Sequence, residues 1–345
     1  MNRHQLFLKV LQDKIASADF FSFADYMELA LFHPQYGYYS ASLEVFGQEG
    51  DFITAPELTP YFAYVLAVYF LPALKHTPAI LELGPGTGRF AKDCMTFLAS
   101  QGVDHLTYFL YEKSPVLRKK QHDLLANTHF DVVWLDELPE VFSGVVFANE
   151  FFDSLPVHIV RWDEEGSIYE KGVGMNNDGL CWVERSINEG PLYEKAKTLP
   201  VLPPYCSEIH WQAEELMKKI AQTLHKGTIV IIDYGYAEEE YYNAEHDRGT
   251  LLCHAQHRAY EDPFFAPGEA DLTAHVNFTA LARAGIESGL QTKRFETLGR
   301  FLAAEGLLHF LQDDGLDHVH KAKYLLDPRF MGERFKILTM DTPSL

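Results

Sequence analysis

The chain has 345 residues, 47% hydrophobic and 14% aromatic, enough for one large α/β core with additions or for two domains. Its 29 basic and 49 acidic residues leave a net charge of -20, which argues against a nucleic-acid substrate, because phosphate binding needs a basic surface, and favours a basic protein partner. Cys94, Cys181, Cys206 and Cys253 lie far apart and form neither a C-x-x-C pair nor a disulfide framework, and no apolar run is long enough to cross a bilayer.

Along the chain, the first 14 residues carry no secretory apolar core and one arginine, so a bacterial-type cytoplasm is expected. Phe7, Val10, Leu11 and Ile15 share one helical stripe, and Ser22 is placed to start a second helix. A loop dense in aromatics follows, His33 to Ser40 with Tyr36, Tyr38 and Tyr39, then Gly50 to Glu57. Two readings fit it, a lid over a cleft or an aromatic mini-core under an N-terminal helical cap. Tyr61 to Leu71, bracketed by Pro60 and Pro72, reads as a buried helix.

Ala79 to Phe90 is the organising stretch. Ile80, Leu81 and Leu83 form a short buried strand, Glu82 precedes the turn, and Gly84, Gly86 and Gly88 strip side chains from the loop before helical spacing resumes. The third glycine comes one residue earlier than in the dinucleotide fingerprint G-x-G-x-x-G. A ligand-free glycine turn is the plain alternative. From there strand and helix alternate, the pattern of a parallel sheet, with strands expected at 79–84, 106–111, 131–135 and 144–149. Glu112 ends the second strand, where an acid accepts hydrogen bonds from ribose hydroxyls; Asp136, after the third, faces an adenine edge or simply closes a surface turn. The fourth strand delivers Asn149, Glu150 and Asp153 at its carboxyl end, the edge where ligands bind in open α/β sheets. A polar hairpin insertion at 160–200 follows, then a helix from Ser207 to Leu224 capped by Ser207, and a fifth strand from Gly227 ending in Asp233 and Tyr234. His254, His257 and His275 lack metal-ligand spacing, so no metal is expected. A helix at 279–289 and two closing strands, 291–297 and 335–340, separated by a helical insertion at 299–331, complete the chain.

Six segments in this order resemble the MidA-type S-adenosylmethionine-dependent methyltransferases, which include a mitochondrial complex I assembly factor that methylates an arginine. They are Pro34 to Tyr39, Gly50 to Glu57, Glu82 to Gly88, Asn149 to Pro156, Asp233 to Gly235, and Gly268 to Val276. The chain departs from the family at Ala63-Tyr64, where Gly-Glu is usual, and at Leu298-Gly299. The resemblance implies a Rossmann-like class I methyltransferase: a mostly parallel seven-stranded sheet spanning 77–345, with an N-terminal helical cap and aromatic lid at 1–76. It implies S-adenosylmethionine as cofactor, held by Glu82, Gly84, Gly86, Gly88, Glu112, Asp136, Thr54 and Pro56. Substrate candidates are Asp51, Glu57, Tyr38, Asp233, Tyr234 and His275.

Arginine stays protonated in water, so a carboxylate pair has to localise its charge and leave one nitrogen to attack the methyl group. Glu150 and Asp153, beside Asn149, are the catalytic candidates. The expected activity is a protein arginine N-methyltransferase acting on a respiratory complex I subunit or a similar protein, with no nucleic acid and no membrane insertion involved. The alternatives are a methyltransferase of a small molecule or a protein amide, against which Asn149 to Phe152 lack the usual prolines, and a non-catalytic cofactor-binding assembly factor.

Overall fold

The computed structural model describes residues 2–41, 54–255, 258–311 and 316–343; Asp51 and His257 lie outside the described residues. The chain forms two compact units, one of Leu43–Phe152, Leu216–Gly235 and Ala280–Leu345, the other of Met1–Ser42, Asp153–Glu215 and Tyr236–Thr279.

The first unit is built on a sheet. Its strands β1 (Ala79–Leu83), β2 (Thr107–Tyr111), β3 (Asp131–Leu135) and β4 (Phe142–Asn149) run parallel, with β1 between β2 and β4. The chain thus works outward from β1 to β3 and returns on the other side of β1, creating a topological switch point between β1 and β4. Leu224–Tyr236 pairs parallel to β4, Phe335–Asp341 antiparallel to it in turn, and Gln291–Thr297 closes the edge. The order is Gln291–Thr297, Phe335–Asp341, Leu224–Tyr236, β4, β1, β2, β3. Residues buried on both faces make these strands near-continuous apolar runs: Val145, Val146, Phe147 and Ala148 are at most 1% exposed.

Two helices fix the sheet's core. Arg89–Ser100 presses Phe90, Cys94 and Leu98 inward, and the Phe90 ring stacks on Phe147 of β4 at 4.1 Å. Tyr61–Leu74 buries Phe62, Val65, Leu66 and Phe70 completely. The described residues from Thr54 to His76 fall in the same unit as this sheet. Pro72 falls inside that helix, contrary to its expected role as a stop. It occupies the last turn, where its missing N–H costs one bond and the helix ends two residues on.

The second unit starts with helices Arg3–Ser17 and Phe23–Phe32, each opened by a capping box. Ser22 starts the second as expected: its Oγ accepts from the Asp25 N–H at 3.1 Å. The expected hairpin insertion is a four-stranded antiparallel sheet in the order Gly179–Ser186, Ile168–Asn176, His158–Trp162, Tyr205–Ile209. Ser207 accordingly sits in a strand, 1% exposed, and caps nothing; the helix begins at Trp211. The strand wins because Tyr205, Ile209 and the buried Glu208 each find partners there. Glu208 Oε1 accepts the backbone N–H groups of Thr250 and Leu251, both at 2.9 Å.

Candidate active site

The glycine loop leaves β1 with Gly84, Gly86 and Gly88 at φ of 61°, 54° and 85°, a left-handed region that side chains pay to enter. Space as well as backbone demands glycine. A Cβ on Gly84 would lie 2.6 Å from Cδ2 of Phe151, and one on Gly88 3.2 Å from Cγ of Gln121. The loop is therefore packed against protein on one side, more than the bare ligand cradle expected of it. On its other side it borders a cleft lined by Thr54, Pro56, Glu57, Glu82, Gly84, Gly86, Thr87, Asn149 and Glu150. Glu57 belongs to this loop's surroundings: its Oε1 accepts the Thr87 hydroxyl at 2.6 Å.

Two buried carboxyl groups stand at the ends of β1 and β2. Glu82, in β1, is 3% exposed and accepts the Tyr108 hydroxyl at 2.8 Å. Burial pushes it up to about 8, against the pull of that hydrogen bond, and the nearby Glu112 charge adds to the rise. Glu112, just past β2, accepts the Ser114 N–H at 2.8 Å and Nε2 of Gln121 at 3.3 Å, yet burial still raises it to about 7. Gln121 itself is fully buried. It donates to the Gly86 carbonyl at 2.8 Å as well as to Glu112, and accepts from Trp134 Nε1 at 2.9 Å, so one amide ties the glycine loop to the acid beyond β2. Sequence reasoning passed it over, since a glutamine inside an amphipathic helix carries no signal of its own. Asp136 does not join this group. Its side chain is 87% exposed and ion-paired with Arg118 at 2.8 Å, the surface turn of the two readings.

At the end of β4, Asn149 donates to Oε1 of Glu150 at 3.0 Å, and Asn149 Oδ1 is buried without a partner among the described residues. Glu150 has φ of 49°, the one non-glycine residue with a positive φ among those described. That conformation costs roughly 1–2 kcal/mol and needs external support. The Glu150 N–H bonds the Ile232 carbonyl at 2.9 Å, and Asp233 Oδ2 takes the next two N–H groups, Phe151 at 3.2 Å and Phe152 at 3.0 Å. Asp233 is wholly buried and its Oδ1 accepts the Tyr234 N–H at 3.0 Å. Both of its carboxylate oxygens thus receive backbone N–H groups. The Tyr234 ring packs on Phe335, centroids 5.5 Å apart, beside the core.

Asp153, Tyr38 and His275 fall in the second unit. Asp153 is 5% exposed, and its carbonyl accepts the Ala274 N–H at 3.0 Å, which brings it next to His275 in that unit. The His275 N–H bonds Thr250 Oγ1 at 3.0 Å and its ring meets Tyr236 edge-on. Tyr38 is 3% exposed and stands edge-on to Tyr39, whose hydroxyl bonds both oxygens of Asp271 at 3.0 and 3.1 Å. Tyr38 is thus an interior residue of this unit.

Known proteins match this geometry. Residues 65–296 fit the model of a family described as "Putative S-adenosyl-L-methionine-dependent methyltransferase". A Burkholderia thailandensis protein crystallised with S-adenosyl-homocysteine superposes with a TM-score of 0.92 at 33% identity, covering 98% of this chain and 92% of that one. The mitochondrial protein arginine methyltransferase NDUFAF7 homolog of Drosophila melanogaster is 29% identical over 98% of this chain and 85% of its own. The human protein arginine methyltransferase NDUFAF7 is 26% identical over 96% and 82%.

The cleft suits S-adenosylmethionine on its own chemistry. Its lining combines an unpartnered buried acceptor, Asn149 Oδ1, and the carboxylates of Glu57 and Glu150, which suit a cationic ligand, with the positive end of the helix that follows the glycine turn, which suits an anionic one. With sheet order, switch-point cleft and both comparisons in agreement, the chain belongs to this S-adenosyl-L-methionine-dependent methyltransferase family and uses S-adenosylmethionine as its methyl donor.

Proposed function

We propose that this methyltransferase acts on an arginine side chain of a protein. The observation that carries the reading is Glu150, held in a left-handed turn at the carboxyl end of β4 and lining the same cleft as the glycine loop. The names of the fly and human relatives support it, and a respiratory complex I subunit is the substrate that the family resemblance suggests.

S-adenosylmethionine supplies an electrophilic methyl group. Everything else falls to the chain. In this reading Thr54, Pro56, the glycine loop, Glu82 and Asn149 seat the amino-acid end of the cofactor, and Glu112, steadied by Gln121, takes the ribose hydroxyls. Glu150 grips two guanidinium N–H groups and draws the positive charge toward its oxygens, leaving a third nitrogen to face the methyl group.

Incubating the protein with tritiated S-adenosylmethionine and an extract of cells that lack it, followed by acid hydrolysis, should place label in methylarginine. Glu150→Gln should lower that transfer about 30-fold or more, the scale of a lost buried charge pair, while cofactor affinity stays near wild type. Label confined to small molecules or to other amino acids would refute the arginine reading, and an undiminished Glu150→Gln rate would refute the role of Glu150.

A further inference from the structure

We propose that Asp233 is a positioning residue for methyl transfer: its buried carboxylate holds the backbone of Glu150 in the left-handed conformation that sends the Glu150 side chain to the cleft. This rests on the reading of Glu150 as the group that faces the methyl acceptor.

Four observations converge. The parallel ladder between β4 and Leu224–Tyr236 ends at the pair Asn149 and Ile232, and the Glu150 N–H still bonds the Ile232 carbonyl at 2.9 Å. One residue further the turn has left the ladder. Asp233 Oδ2 substitutes for it, receiving two consecutive N–H groups from Phe151 and Phe152 at 3.2 and 3.0 Å. Successive N–H groups after a left-handed residue form a concave nest that favours an anion. Here the chain supplies the anion itself. The same turn lays the Phe151 ring where a Gly84 Cβ would be, 2.6 Å from Cδ2. The clamp on Phe151 and Phe152 therefore registers the acceptor edge against the cofactor loop. Asp233 cannot swing elsewhere: it is wholly buried, and its Oδ1 is engaged by the Tyr234 N–H. Its effect on the reaction passes through Glu150, which distinguishes it from a residue that touches substrate.

The test is a pair of double-mutant cycles on the full chain. Glycine enters the left-handed region freely, so Glu150→Gly should raise the melting temperature by about 2 °C. Asp233→Asn should lower it by about 5 °C or more in the wild-type background, and by less than half as much once residue 150 is glycine. The double variant keeps the turn without the clamp, so it reports even where Asp233→Asn alone does not fold. In the labelled-methyl assay, Asp233→Asn should cut the turnover rate about tenfold with S-adenosylmethionine affinity within threefold of wild type, and should slow Glu150→Gln by less than twofold more. Equal melting losses in both backgrounds, or losses of rate that multiply, would overturn the proposal. The melting cycle needs no substrate. A wild type that labels no arginine would sink the arginine reading while leaving that cycle to decide the clamp.

Discussion

The loop after β1 and the turn after β4 flank the same switch point, and both leave their strands through left-handed backbone. They reach it by opposite means. After β1 the conformation is built from residues that adopt it without cost, Gly84, Gly86 and Gly88. After β4 a glutamate is forced into it, at φ of 49°, by a buried carboxylate on the neighbouring strand. The difference teaches which side needs a side chain. The cofactor side works through backbone shape and close packing, where a Cβ only obstructs. The turn after β4 carries a carboxylate at one point and accepts strain to have it there.

The contrast can be broken most severely at Gly84. Gly84→Ala adds a Cβ both to a left-handed residue and to the space held by Phe151, and should cost about 3 kcal/mol in denaturant unfolding. Glu150→Gly, at the matching position across the switch point, should stabilise instead. Substitutions of equal sign at the two sites would erase the distinction.

The next effect concerns the buried acid of β1. Glu82 is raised to about 8 in the folded protein, whereas an unfolded glutamate titrates near 4.3. Between those values the folded state holds a proton that the unfolded state has released, so stability falls as pH rises through this window. Glu82→Gln should flatten that decline in melting temperature between about pH 5 and pH 8. An unchanged slope would assign the pH dependence to other groups.

Smaller again is Gln121→Leu. It removes the links to the Gly86 carbonyl and to Glu112 and leaves Trp134 Nε1 without its acceptor. Calorimetry should show S-adenosylmethionine affinity down about tenfold, roughly 1.4 kcal/mol. The smallest change is Thr87→Ala, which loses a single hydrogen bond to Glu57 and should weaken binding by less than about 1 kcal/mol. If Thr87→Ala outweighs Gln121→Leu, the loop is held from the Glu57 side.

Much of this was legible in the chain itself. Apolar runs placed β1, β2 and β3 within a residue of their observed bounds, and β4 within two. The glycine loop and the Ser22 cap announced themselves by residue type. What escaped has a common cause. The left-handed state of Glu150 is imposed from Asp233, some eighty residues away, and a glutamate gives no local sign of it. An acid after an apolar strand reads the same whether it faces a ligand or receives backbone N–H groups, as Asp233 does. Ser207 and the strand around it depended on Glu208 finding Thr250 and Leu251. The division into units escaped for the same reason: segments that are distant along the chain pack together, and periodicity sees only neighbours.

Glu150 also has a genetic consequence. A single-base change converts either glutamate codon to a glycine codon, so relief of this strain is always one step away in any population of mutants. A selection for thermal stability alone should find Glu150→Gly early, and its survivors should be the ones that no longer methylate. The residue that the fold would most readily discard is then the one by which activity can be tracked.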